Sequence, residues 1–166
     1  MLKIYYFTHI GLDKTSHEDA VMIEKNVSCN SMSKPRYTTQ KKNYGIYAVA
    51  DGMSGSPYGE VASKMVLELL YKHFDPSKRV AATIIEVQDK LASYIISHPK
   101  YHGMGTTLAG VFIDDTQMQI FHVGDSRVYR YRGESLECLT QDHTIAQKMA
   151  ERGEIEIGRA SCRERV

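Results

Sequence analysis

Three cysteines are too few and too scattered to organise this chain. Cys29, Cys138 and Cys162 have no metal-ligand spacing and cannot all pair within one chain. A reduced, cytoplasmic setting is the simplest reading, and none of the three stands in a nucleophile motif. Long hydrophobic runs are also missing: no stretch approaches the length needed to cross a bilayer, so no membrane association is expected. The opening residues, MLKIYYFTHIG, lack the apolar stretch and small-residue cleavage site of a secretory signal. Charge of one sign is absent too. With 21 basic and 20 acidic residues, the net charge of +1 exerts no long-range pull on nucleic acid or anionic lipid. There is no internal repeat and no low-complexity tract. What is present is ordinary for a soluble domain, 42% apolar and 25% charged, and 166 residues suffice for one substantial core.

The pattern along the chain predicts sheet with helices packed on it. Leu2 to Thr8 is aromatic and β-branched and reads as a strand, with Ala20 to Val27 as a second. Ser28 to Lys42 turns to Ser, Lys, Asn and Thr, the composition of an exposed loop. Tyr44 to Ala50 is a compact apolar run, a buried strand that delivers the chain into a sharp turn at Asp51-Gly52. Ser56 and Pro57 suit the cap and first turn of a helix whose apolar face is Val61, Met65, Val66, Leu69 and Leu70. A second helix, about Val80 to Ser97, repeats the pattern through Ile84, Val87, Leu91 and Ile95 until Pro99 stops it. Beyond Gly103 the period becomes two. Thr106 to Ile113, Gln117 to Val123, Arg127 to Arg132 and Ser135 to Leu139 read as a meander. Its turns fall at Asp114-Asp115, Gly124-Asp125 and Arg132-Gly133, and a short helix starts near Asp142. The fold class is α+β.

The last ten residues, IGRASCRERV from Ile157 to Val166, have no hydrophobic period and no turn logic. They resemble the translation of a common sequencing adapter. The expected division is therefore 1–156 as partial domain and 157–166 as a non-native tail. Without the tail the chain carries 18 basic and 19 acidic residues.

Chemistry centres on four acidic residues placed at strand ends and turns: Glu18, Asp19, Asp51 and Asp125. Hard divalent cations take oxygen ligands, a few carboxylates plus waters. An Asp that ends a buried strand and is followed by Gly52 offers a carboxylate and an unobstructed carbonyl. On chemistry alone the plainer reading stays open, because Asp-Gly is a common turn pair and Gly124-Asp125 suits an ordinary hairpin.

Whole motifs weigh the other way. AVADGMSGSPYGEVAS resembles the central motif of the bacterial type 2C, metal-dependent Ser/Thr protein phosphatases. GLDKTSHEDA is similar to that family's opening motif, and GMGTTLAGV and HVGDSRVYRYRGESLECLTQDHT resemble two later blocks in the same order. Four ordered blocks covering most of residues 8–144 are a specific signal. The resemblance implies a four-layer α-β-β-α sandwich, incomplete at the C-terminus. It implies Asp51 as the carboxylate bridging two Mn²⁺ or Mg²⁺ ions, with Gly52 lending its carbonyl and Glu18 and Asp19 ligating directly or through water. Asp125 matches the position that helps bind a third, looser ion. Thr106 and Thr107 would shape the sheet under the site, or be ordinary strand residues.

The implied reaction is hydrolysis of phosphoserine or phosphothreonine by a water that the ions activate, without a phosphoenzyme. The implied partners are a phosphorylated protein and an opposing Ser/Thr kinase, and the complete protein is expected to be a monomer. Departures from the family pattern limit this. Lys14 stands where a phosphate-binding Arg is usual and lacks its bidentate fork. His17 replaces an Asn, and a surface histidine is its plain reading; Met53 is usual in bacterial members. The blocks that supply two further Asp ligands are missing, so this fragment is expected to be nearly inactive. The alternative function is a non-catalytic module that binds a phosphoprotein. The basic stretch KPRYTTQKK (Lys34 to Lys42) reads as solvated rather than as a nucleic-acid site.

Overall fold

The computed structural model describes residues 1–53 and 55–153; the proposed tail at 157–166 lies outside them. In chain order the elements are β1 (Leu2–Tyr6), β2 (Asp19–Ile23), β3 (Asn26–Ser28), β4 (Arg36–Gln40) and β5 (Gly45–Asp51). Helices α1 (Gly59–His73) and α2 (Val80–Ser97) follow, then a 3₁₀ turn at Pro99–Tyr101. The rest is β6 (Leu108–Ile113), β7 (Met118–Val123), β8 (Tyr129–Arg132), β9 (Ser135–Cys138) and α3 (Ile145–Glu151). Sheet and helix are segregated rather than alternating, which is the α+β arrangement expected.

Five strands form one antiparallel sheet in the order β3-β2-β5-β6-β7. Residues opposite one another in antiparallel strands share a face, and the register sorts this sheet cleanly. Ala20 faces Ala50, Met22 faces Ala48, and Ile46 faces Phe112. That face joins Val66, Leu67 and Leu70 of α1 and Val80 and Val87 of α2 in one buried cluster. Each fully buried large apolar side chain there contributes about 1.5–3 kcal/mol. The opposite face carries Asp19 paired with Asp51 at its end, then Val21 with Val49 and Tyr47 with Val111. Packing of the helices on one side therefore leaves the carboxylate pair on the other. Among the described residues no helix is long and apolar enough to cross a membrane.

Helix α2 has the expected limits, because its apolar period is regular and Pro99 follows. Helix α1 starts later than expected, at Gly59, and Ser56 is not its cap. Tyr58 holds that position in a left-handed conformation, φ 63° and ψ 34°, without a side-chain capping bond. Its buried stripe is Ala62, Ser63, Val66, Leu67 and Leu70: Val66 and Leu70 of the predicted face are buried, but Ala62, Ser63 and Leu67 take the places expected of Val61, Met65 and Leu69.

Three strand expectations need correction. The segment predicted as one strand over Ala20 to Val27 is a hairpin, broken where Glu24 adopts a φ of 52°. The segment predicted as a loop contains β4, which pairs along its whole length with β1. Its side chains are polar, but Tyr37 stacks on Tyr5 with ring centroids 5.7 Å apart. Finally, β7 does not turn back into β8. Strands β8 and β9 pair only with each other, through a tight turn in which Gly133 and Glu134 have φ of 54° and 66°. The helix pair and the five-stranded sheet thus account for two layers, and the remaining strands form two separate ribbons.

Candidate functional site

The site grows out of the end of β5. Asp51 is the last residue of that strand and lies directly opposite Asp19, the first residue of β2. Strand pairing alone therefore sets two carboxylates side by side on the face turned away from the helices. The chain does not turn sharply at Asp51-Gly52, contrary to expectation. Gly52 continues extended, bridges to Thr106, and donates its N–H to the Glu18 carbonyl at 3.0 Å. It must be glycine for a different reason: a Cβ there would sit 2.5 Å from the backbone carbon and oxygen of Gly59. The strand end and the start of α1 touch backbone to backbone.

Burial pushes the Asp51 carboxyl up to about 6, and the charge of Asp19 and a hydrogen bond shared with it add to the rise. Asp125 and then Glu18 raise it further through their charges. The other three predicted carboxylates therefore all act on Asp51, where the repulsion accumulates. Two carboxylates this close hold a proton between them or exchange it for a cation. Among the described residues, no three His, Cys, Asp or Glu side chains are already grouped to hold an ion. The donors nevertheless fit a hard divalent cation. All are oxygens, and two of them, Asp19 and Asp51, stand on adjacent strands of a rigid sheet.

Glu18 and Lys14 form an ion pair, Nζ to Oε2 at 3.2 Å, in which the Glu18 side chain is the less exposed, 17% against 52%. Lys14 is thus held beside the carboxylates by one of them. His17 is half-buried rather than on the surface. Its Nε2 lies 2.9 Å from the Thr8 hydroxyl, and its Nδ1 is buried without a partner among the described residues. Met53 donates its N–H to the Gly105 carbonyl at 3.0 Å. A Cβ on Gly105 would meet the Met53 sulfur at 2.6 Å. Lys41 and Lys42 follow β4 and are exposed.

Both threonines of the third motif reach Asp51. Thr107 donates its N–H to the Asp51 carbonyl at 2.8 Å and accepts the Asp51 N–H on its hydroxyl at 3.1 Å. The Thr106 hydroxyl donates to the same carbonyl at 2.9 Å. Asp125 sits in the turn after β7, not in a hairpin. Gly124, with φ of 100°, lets that turn press on Thr107, since a Cβ there would lie 2.8 Å from the Thr107 methyl. Arg127 forks onto Asp142 at 2.7 and 2.6 Å and holds its carboxyl below the usual range. The His143 N–H donates to the Gly124 carbonyl at 2.9 Å.

A cavity of about 350 Å³ opens here, lined by Phe7, Thr8, His9, Asp19, Asp51 and Ser126 among others. Sequence reasoning missed His9, Ser126, Arg127 and Asp142. The last three stand inside a motif it quoted, but their partners are distant in sequence, and no local pattern announces them.

Known proteins resemble most of this chain. The sequence pattern described as protein phosphatase 2C matches residues 34–151. The Ser/Thr phosphatase stp of Listeria monocytogenes serovar 1/2a is 35% identical over 125 residues, covering 69% of this chain and 50% of that protein. The chain thus spans about half the length of that relative. Among solved structures, the Ser/Thr phosphatase Stp1 from Staphylococcus aureus superposes with a TM-score of 0.76 at 26% identity, over 95% of this chain and 60% of that one. The catalytic domain of the Ser/Thr protein phosphatase PstP, solved with two manganese ions, gives 0.71 at 27% identity, over 95% and 64%.

Proposed function

Because the chain belongs to the protein phosphatase 2C family, we propose that the whole protein hydrolyses phosphoserine and phosphothreonine in proteins, with Mn²⁺ or Mg²⁺ bound at the Asp19–Asp51 end of the sheet. The observation that carries this reading is the direct pairing of those two carboxylates across β2 and β5, with Asp125 and Glu18 adding to the charge on Asp51. The chemistry supplied by a bound pair of such ions is acidification of a water and neutralisation of charge at the phosphoryl group.

The chain's own residues do the rest. Asp51, whose backbone makes three hydrogen bonds with two threonines, would offer its carboxylate to the ions. Gly52 would lend its carbonyl, and Asp19 and Glu18 would ligate directly or hold metal-bound waters. Asp125 would help hold a further, looser ion. Lys14 supplies a positive charge to the phosphoryl oxygens as a point donor without a fork. Residues 1–156 are the part of the phosphatase domain represented, and 157–166 a non-native tail. The setting is cytoplasmic signalling opposite a Ser/Thr kinase, acting as a monomer without nucleic acid or membrane.

The test is turnover of para-nitrophenyl phosphate with added Mn²⁺, comparing the 166-residue chain with the chain extended by its native C-terminal sequence. Activity confined to the extended form is expected. Absence of turnover in both, with retained phosphopeptide binding, would replace the catalytic reading with a binding module.

A further inference from the structure

Among the described residues, the hydroxyl of Thr107 is the one side-chain group that the hydrogen bonds place between Asp51 and the turn carrying Asp125. On one side it accepts the Asp51 backbone N–H at 3.1 Å. On the other it lies 2.6 Å from the Ser126 hydroxyl. The same residue's N–H holds the Asp51 carbonyl at 2.8 Å, so Thr107 grips that residue from both backbone directions. The contact with the turn is equally close, because the Thr107 methyl occupies the space a Cβ on Gly124 would need. From the outer side the turn is backed by the His143 N–H on the Gly124 carbonyl and by the Arg127–Asp142 fork.

The geometry points to Thr107 and Ser126 as positioning residues, a hydroxyl bridge that sets the separation between the Asp51 and Asp125 carboxylates and so lets both engage one group of cations. This rests on the metal-site reading above. The physical argument is one of preorganisation. A carboxylate on a turn is useful to a cation only if the turn is held to the strand carrying its partner. A hydroxyl that accepts from the Asp51 N–H and is also hydrogen-bonded to the Ser126 hydroxyl does this with two bonds. Valine is the same shape and keeps the β-branched packing but removes both bonds. Serine keeps the bonds and loses only the methyl.

The experiment is amide NMR of this 166-residue chain under substoichiometric Mn²⁺, whose unpaired electrons broaden signals of nearby residues even when binding is weak. In the wild-type chain the amides of Asp51 and Gly52 and those of Asp125 and Ser126 are expected to broaden together. In Thr107→Val and Ser126→Ala, broadening is expected to persist at Asp51 and to be lost at Asp125, and Thr107→Ser should behave as wild type. Unfolding curves recorded alongside separate this from a general loss of stability, which would reduce broadening at both places equally. Joint broadening that survives in Thr107→Val and Ser126→Ala overturns the bridge. So does a Thr107→Ser chain as defective as Thr107→Val, which would assign the effect to packing. Broadening at Asp51 alone in the wild type overturns the bridge and leaves the metal site standing, whereas broadening at neither overturns both.

Discussion

Replacing Asp51 with Asn should stabilise the metal-free chain while abolishing its response to Mn²⁺. Asp51 suffers burial and the charges of Asp19, Asp125 and Glu18, which lift its carboxyl from an ordinary 3.8 to about 6. The native chain thus holds this proton more tightly than the unfolded chain does. The associated stability is fully present below pH 3.8 and is lost as pH rises to about 6, so at neutral pH the ionised carboxylate opposes folding. At about 1.4 kcal/mol for each tenfold change in proton affinity, that rise sets a ceiling of about 3 kcal/mol. Asp51 is partly solvent-exposed, and screening reduces the figure to about 1–2 kcal/mol. Asparagine removes the charge, and its amide can give Asp19 the hydrogen bond the shared proton gives. For a chain of this size the gain corresponds to a Tm higher by roughly 2–8 °C.

The assay is thermal unfolding in EDTA at pH 7.5 and at pH 3.5, repeated at pH 7.5 with Mn²⁺. The variant should melt higher at pH 7.5, the gap should close at pH 3.5, and Mn²⁺ should raise the wild type but not the variant, because only the chain that binds the ion gains by linkage. A variant that melts lower than wild type in EDTA at pH 7.5, or a gap independent of pH, would refute the reasoning.

Other substitutions probe the supports. Gly52→Ala would drive a methyl into the Gly59 backbone and should cost about 1–3 kcal/mol in urea unfolding, together with Mn²⁺-induced stabilisation. Leu67→Ala empties a fully buried site in the helix–sheet core and should cost about 2–5 kcal/mol without shifting the midpoint of a Mn²⁺ titration. Arg127→Ala breaks the fork onto Asp142, an exposed partner on a less exposed one, and should cost only about 1 kcal/mol by the same unfolding measurement.

How much of this was legible in the sequence depended on whether a signal was local. Helix α2 has a regular period and a terminating proline, and its limits agree with the reading. Helix α1 was offset because Ser56-Pro57 looks like a start, while the left-handed Tyr58 and the Gly52–Gly59 contact decide where the helix begins. Strand β4 was invisible because Thr38, Thr39 and Gln40 have loop composition; pairing with β1, 30 to 38 residues away, makes it a strand. The placing of Asp19, Asp51 and Glu18 together follows from motif resemblance and strand pairing. Thr107's bond to Ser126 could not be read, since both residues have ordinary explanations where they stand and their meeting depends on the path of the turn between them.

The two facing glycines have unequal futures under mutation. A Cβ at position 52 would fall 2.5 Å from main-chain atoms, whereas one at position 59 would fall 3.2 Å from Gly52 and 3.5 Å from the Glu18 side chain. Drift is therefore open in one direction only: a lineage can try alanine at 59 by yielding a few tenths of an ångström, but not at 52 first. The yielding has a direction as well. It displaces Gly52 and Glu18, so at the proposed metal site a change tolerated by the fold would be registered first as retuned cation affinity, and selection on that affinity would guard a helix position that touches no ion.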